Sequence, residues 1–285
     1  MPAALPRHTQ RISPVTTAVT EPGRPGASSA GTGALDVSEV SVRFGGLTAL
    51  DGVSLRAAPR KVTGIIGPNG AGKTTLLNAV CGFVSPTSGT ISFGGRPVAG
   101  LRPHHLPRLG IARTLQGVGL HGGLSAIENV MVGATSRARA GFWHALAGLS
   151  ARDERRLRGE AHRALDRVGA ADVADAMPGT LAYGLRKRVA LARALVGHPR
   201  LLLLDEPASG LAEDELAELG ALIKTLAADA GVVVIEHRMD LMMAVCDSIF
   251  VLDFGKLIAS GRPQDVQADP AVTAAYLGAD HGGRR

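Results

Sequence analysis

The stretch GPNGAGKTT, Gly67 to Thr75, directly follows the strand-like run VTGII and opens a run of helix-forming residues. This order of buried strand, glycine-rich loop and helix constrains the fold more than any other feature of the chain. The spacing GxxxxGK[ST] lets backbone N–H groups close around phosphate oxygens, and the dipole of the following helix adds a favourable field. Gly67, Pro68, Asn69, Gly70, Ala71 and Gly72 are the expected cradle, Lys73 the contact to the β- and γ-phosphates, Thr74 a Mg²⁺ ligand and Thr75 its neighbour. A glycine turn serving only the backbone is the alternative, and the strand and helix on either side weigh against it.

A second signal is LLLLDEP, Leu201 to Pro207, an apolar strand ending in two carboxylates. Acids in that place emerge at the carboxyl edge of a sheet, where ligands of such folds bind. Asp205 is expected to hold Mg²⁺, and Glu206 to polarise a water for in-line attack on a γ-phosphate. On its own, an acidic pair ending a strand is more often plain surface; the phosphate loop upstream reverses that judgement.

The rest of the chain supplies the frame. LDVSEVSVRF, Leu35 to Phe44, alternates like a strand, and VSLRA pairs with it as an antiparallel neighbour. Arg, Ala, Glu and Leu recur at helical spacing between about Ala126 and Ala176. Thereafter helices near Leu185 to Val196, Glu213 to Ala228 and Met239 to Val245 alternate with the strands LLLLD, VVVIE and SIFVLDFGKLIASG. Such alternation builds a parallel sheet with crossover helices, an α/β fold. With aromatics at only 3%, its core has to be aliphatic.

Several classes fall away. The longest apolar runs are far shorter than the ~20 residues that span a bilayer. MPAALPRHTQRISP lacks the continuous apolar segment of a secretory signal, so a cytoplasmic protein is expected. The formal charge of +6 permits an acidic partner, but the basic residues are scattered and little is available to stack on bases, so nucleic acid is not expected. Cys81 and Cys246 read as buried free thiols, His104 and His105 as a Pro-flanked turn without metal spacing, and residues 1–33 as a disordered tail.

GPNGAGKTT, RTLQ ending at Gln116, LAYGLRKRVALARAL, LLLLDEPASGL and VIEHRMD, in this order, resemble the nucleotide-binding subunit of an ATP-binding cassette transporter over about Leu35 to Leu277. The resemblance implies a phosphate-loop NTPase fold of cassette type: a mixed sheet core, an antiparallel β subdomain and a helical subdomain of about 117–197, within a domain of 34–279 and before a short tail, 280–285. It implies ATP and Mg²⁺ as cofactors. Gln116 becomes a sensor of Mg²⁺ and the attacking water beside the contact with the membrane subunit, His237 the group that bonds the γ-phosphate, and Phe44 the ring that stacks on adenine. Phe142 and Trp143 are read as packing or a contact with the membrane partner.

LAYG stands where the family has LSGG or LSYG, so Ala182, Tyr183 and Gly184 are implied to cap the γ-phosphate held by a second, head-to-tail cassette subunit. Ala182 replaces an expected serine and Leu185 an expected glutamine. The departure suggests pairing with a different cassette, one of the two ATP sites being weakened; neutral drift compensated by neighbouring groups is the alternative. FGGLTAL, the basic helical stretch and EHRMDLMMAVCDSIFVLDFGKLIASGRP are similar to ATPase subunits of branched-chain amino-acid importers, which implies such amino acids or a related small polar solute as cargo. These sit on the cytoplasmic face of the membrane beneath permease subunits fed by a solute-binding protein. Two other readings stay open: a soluble cassette protein without a transporter, and a regulatory cassette with weak hydrolysis.

Overall fold

The computed structural model describes residues 33–98, 100–114, 117–134 and 150–280, with backbone alone for 150–152 and 277–280. Gln116, Phe142 and Trp143 lie outside the described residues, as do 1–32 and 281–285.

The frame is a six-stranded sheet in the order β10-β9-β3-β8-β7-β6, comprising β3 (Val62–Ile66), β6 (Ile111–Arg113), β7 (Leu201–Asp205), β8 (Gly231–Ile235), β9 (Ser248–Asp253) and β10 (Lys256–Gly261). All neighbours run parallel except the edge hairpin β9–β10. The strands VTGII, LLLLD and GVVVI are buried at every position, which is why they read as largely apolar runs instead of alternating ones. Their side chains still divide by parity. Leu201, Leu203, Val233 and Ile235 enter one core; Leu202, Leu204, Val232 and Val234 enter the other.

The first core is closed by helix α1 (Lys73–Val80) and by a four-stranded antiparallel sheet, β2-β1-β4-β5, built from β1 (Leu35–Phe44), β2 (Leu47–Ala57), β4 (Ser88–Phe93) and β5 (Arg96–Pro97). Leu76, Leu77 and Val80 of α1 pack there with Leu35, Leu50 and Phe93. Fully burying one such side chain stabilises the fold by roughly 1.5–3 kcal/mol. The small sheet is tied to the large one where Asp51 N–H donates to Gly255 O at 2.9 Å.

The other face carries the helices. Between the short α2 (Leu106–Leu109) and the later crossovers stand α3 (Ala126–Gly133), α4 (Ser150–Arg167) and α5 (Tyr183–Leu195), which share a core of Ile127, Val130, Leu157, Leu165, Val189 and Leu195. α3 starts on a capping box between Ser125 and Glu128, and the buried Asn129 closes the preceding turn by accepting from His121 N–H at 2.7 Å. α6 (Glu213–Ala227), α7 (Met239–Val245), α8 (Pro263–Gln267) and α9 (Pro270–Asp280) complete this side. α5 begins at Tyr183, earlier than the expected Leu185, because Arg186 N–H already donates to Ala182 O at 3.0 Å. The two cysteines are free, Cys81 buried and Cys246 half-buried, and burial pushes the Cys246 thiol up to about 12.

Candidate functional site

Strand register explains where the site lies. Ile65 pairs with Ile235, and Ile235 with Asp205, so β3, β8 and β7 end at one level. Everything that follows these strands therefore emerges at the same carboxyl edge.

After β3 comes the phosphate loop. Gly67 has φ 150°, and a Cβ there would collide with the Leu252 carbonyl; Gly72, at φ 98°, caps α1 with a Cβ position only 2.6 Å from the Ala49 carbonyl. Only glycine lets the loop close so tightly on the sheet behind it. Its mouth is open: Asn69, Gly70 and Thr74 are exposed, while Thr75 is half-buried. The first N–H groups of α1 have no intrahelical acceptor and point into this mouth. Lys73, 8% exposed, donates from Nζ to Gly67 O at 2.7 Å and Pro68 O at 2.8 Å. Burial lowers its pKa, and the carboxylates of Glu206 and Asp205 oppose that shift.

Asp205 closes β7 and is 4% exposed. Its Oδ2 accepts from Arg113 Nη2 at 2.9 Å, and the same guanidinium donates from Nη1 to Asn78 Oδ1 at 2.8 Å. Glu206 follows in a left-handed backbone conformation, φ 49°, which turns the chain out of the strand. Lys187 Nζ of α5 donates to the carbonyls of Glu206 at 3.3 Å and Pro207 at 2.8 Å.

At the end of β8, Glu236 is 0% exposed. Its Oε1 accepts from Ala208 N–H at 2.6 Å and its Oε2 from His237 N–H at 3.2 Å. The His237 ring, 57% exposed, has Nδ1 at 3.6 Å from the same Oε2.

Lys73, Asp205, Glu206 and His237, expected from the sequence to act together, thus come to one edge of the sheet. Phe44 ends β1 and is 50% exposed, with the ring free to meet a flat ligand. Ala182 is the N-cap of α5 and offers no side-chain bond to the helix. Tyr183 lies against Gly210, its ring 5.3 Å from Lys187 Nζ, and Gly184 is so close to the Glu215 carboxylate that a Cβ would collide with it. A cavity of about 360 Å³ brings Tyr183, Gly184, Lys187, Asp205, Glu206 and Ser209 to one space, and no residue of the phosphate loop lines it.

Arg113, Lys187 and Glu236 were not singled out from the sequence. Glu236 had the clearest signal, since VVVIE ends in an acid just as LLLLDE does. Among the described residues no three His, Cys, Asp or Glu side chains converge on a metal position, so a divalent ion here would share its ligands with phosphate oxygens. Asp205 and the Thr74 hydroxyl are oxygen donors of the kind Mg²⁺ takes.

Fold and site together define a phosphate-loop nucleotide-binding domain of cassette type. The family model described as ABC transporter matches residues 50–209, and that described as branched-chain amino acid ATP-binding cassette transporter matches 256–282. The chain belongs to the ABC transporter family of ATPases. It is 41% identical over 251 residues to the high-affinity branched-chain amino acid transport ATP-binding protein BraF of Pseudomonas aeruginosa, covering 86% of this chain and 97% of that one. To LivG of Escherichia coli K12, described in the same words, it is 39% identical over 250 residues, covering 86% and 97%. Among solved structures, the ADP conformation of the cassette MJ1267 superposes with a TM-score of 0.76 at 30% identity, covering 86% of this chain and 99% of that one. No helix among the described residues is long and apolar enough to cross a membrane.

Proposed function

We propose that the chain is the ATP-hydrolysing subunit of an importer for branched-chain amino acids, working at the cytoplasmic face of the membrane with permease subunits, a solute-binding protein and a second, different cassette. The supporting observation is the meeting of Lys73, Asp205, Glu206 and His237 at one sheet edge, in a chain similar along 86% of its length to BraF and LivG.

In this reading the phosphate loop, Gly67 to Thr75, holds the β- and γ-phosphates, with the Lys73 ammonium moving from the carbonyls of Gly67 and Pro68 onto them. Phe44 stacks on adenine. Thr74 and Asp205 hold Mg²⁺ with Gln116, and the ion supplies positive charge against the phosphate oxygens. Glu206 takes a proton from the attacking water, whose oxygen bonds to the γ-phosphorus as the bond to the ADP oxygen breaks. His237 bonds the γ-phosphate. Ala182, Tyr183 and Gly184 face the phosphate held by the partner cassette.

Because Ala182 has no hydroxyl, the site it completes lacks one charge-assisted bond, worth about 1.5–3 kcal/mol. That makes the two ATP sites unequal. The permease docks on the groove where Phe83, 59% exposed, faces α2 and the end of α3. The test is leucine uptake into liposomes carrying the purified complex. ATP-dependent uptake, lost on changing Lys73 to Ala, is expected; uptake indifferent to ATP would overturn the reading.

A further inference from the structure

We infer that Lys187 and Glu236 form a clamp on the segment Glu206 to Ala208, positioning the Glu206 carboxylate and tying it to His237. The inference rests on the reading of Glu206 as the base.

Glu206 stands in left-handed backbone space, which a non-glycine side chain avoids unless its surroundings impose it. What imposes it is visible group by group. Glu206 N–H donates to Ile235 O at 2.9 Å, and its carbonyl accepts from Lys187 Nζ at 3.3 Å and Ser209 N–H at 3.2 Å. The Pro207 carbonyl accepts from Lys187 Nζ at 2.8 Å. Ala208 N–H donates to Glu236 Oε1 at 2.6 Å, and the Ala208 carbonyl accepts from Leu211 N–H at 3.1 Å. Every polar backbone group of the segment is therefore held, and the side chains that hold it are one cation and one anion.

Neither residue has a simpler use. A wholly buried carboxylate is costly unless paired, yet among the described residues no Lys or Arg forms an ion pair with Glu236; the basic atom within 4 Å of it is Nδ1 of the His237 ring, at 3.6 Å. Its two oxygens are divided between the two working loops, Oε1 to the one that follows Glu206 and Oε2 to the one that begins with His237. Lys187 lies within the second turn of α5, three residues past Gly184, and spends its donors on carbonyls instead of solvent. Burial lowers the pKa of its ammonium, and the carboxylates of Glu236, Glu206 and Glu215 oppose the shift. The helix capped by Ala182 is thus bonded directly to the backbone of Glu206. A shift of α5 reaches the base without passing through the nucleotide.

The experiment compares Glu236→Gln, Lys187→Met, Lys187→Arg and Glu206→Gln in the assembled transporter, reading kcat, KM for MgATP, affinity for a fluorescent ATP analogue and unfolding temperature. Displacing a catalytic group by about 1 Å costs up to about 100-fold in rate, so kcat is expected to fall about 10- to 100-fold in Glu236→Gln and Lys187→Met. KM, analogue affinity and unfolding temperature are expected to hold, and Lys187→Arg to recover most of the rate. Normal kcat in both clamp variants, with Glu206→Gln inactive, would overturn the clamp alone. A parallel loss of kcat, affinity and unfolding temperature would also overturn it, marking a structural role. Turnover surviving in Glu206→Gln would instead remove the base assignment, and the clamp with it.

Discussion

Arg113 donates from Nη2 to Asp205 Oδ2 at 2.9 Å, and the carboxylate side chain it meets is 1% exposed. A buried acid at the expected Mg²⁺ position is thereby neutralised by the first residue of RTLQ. Removing one member of a buried ion pair leaves a buried charge, at a cost of about 3–5 kcal/mol. Arg113→Gln should therefore lower the unfolding free energy by about 3 kcal/mol without nucleotide, and by clearly less with saturating MgADP, since the metal restores positive charge beside Asp205. Denaturant titrations with and without MgADP check this; a loss of equal size in both conditions would contradict it.

Ala182 leaves α5 without a side-chain cap. Ala182→Ser should raise subunit stability by about 1 kcal/mol, because a hydroxyl at this position accepts from the second- or third-residue N–H. In the assembled complex the same change should tighten ATP binding at the weaker site by about 10- to 150-fold if the added bond is worth about 1.5–3 kcal/mol. Unfolding curves and nucleotide titrations test the two effects separately.

Gly184 is held small by Glu215. A methyl there would displace the Glu215 side chain, whose Oε2 accepts from Ala212 N–H at 2.9 Å at the start of α6. Gly184→Ala should cost about 0.5–2 kcal/mol through the lost cap. Its effect should largely vanish in a Glu215→Ala background, where the collision is absent. Double-mutant unfolding measurements decide the point.

Asp247 joins β9 to β3. Its Oδ1 accepts from Lys61 Nζ at 2.8 Å and its Oδ2 from Val62 N–H at 2.8 Å. Partial burial pushes its carboxyl up, but the Lys61 and Val62 bonds outweigh it and hold the pKa below the ordinary aspartate value. A folded-state pKa below the unfolded one gives stability that is complete above the unfolded value, about 3.9, and is lost as pH falls below it. Asp247→Asn should thus be less stable than the parent by about 1 kcal/mol at pH 7, the difference shrinking below about pH 4. Unfolding free energy against pH from 7 to 3 measures both.

How much of this was legible in the sequence follows the range of each interaction. GPNGAGKTT declares itself because the loop, its glycines and the first helical turn are contiguous. LLLLDEP does so because a strand buried on both faces must be an apolar run. The roles of Glu236, Lys187 and Arg113 were hidden for the opposite reason, even though VVVIE ends in an acid. Glu236 matters only because Ile235 pairs with Asp205, which brings Ala208 over its carboxylate. Lys187 matters only because α5 crosses beside the end of β7. Arg113 reaches Asp205 across 92 residues of chain. The early start of α5 was missed because alanine has no capping side chain, so nothing in LAYGL marked the first turn.

The central claim is that the loop carrying Lys73 binds ATP whose hydrolysis drives the transporter, and phosphate release by the purified, assembled complex tests it most directly. The account predicts MgATP-dependent release that falls at least about 100-fold in Glu206→Gln, which still binds ATP, and disappears in Lys73→Ala, which does not. Undiminished release from the Lys73→Ala complex would contradict it.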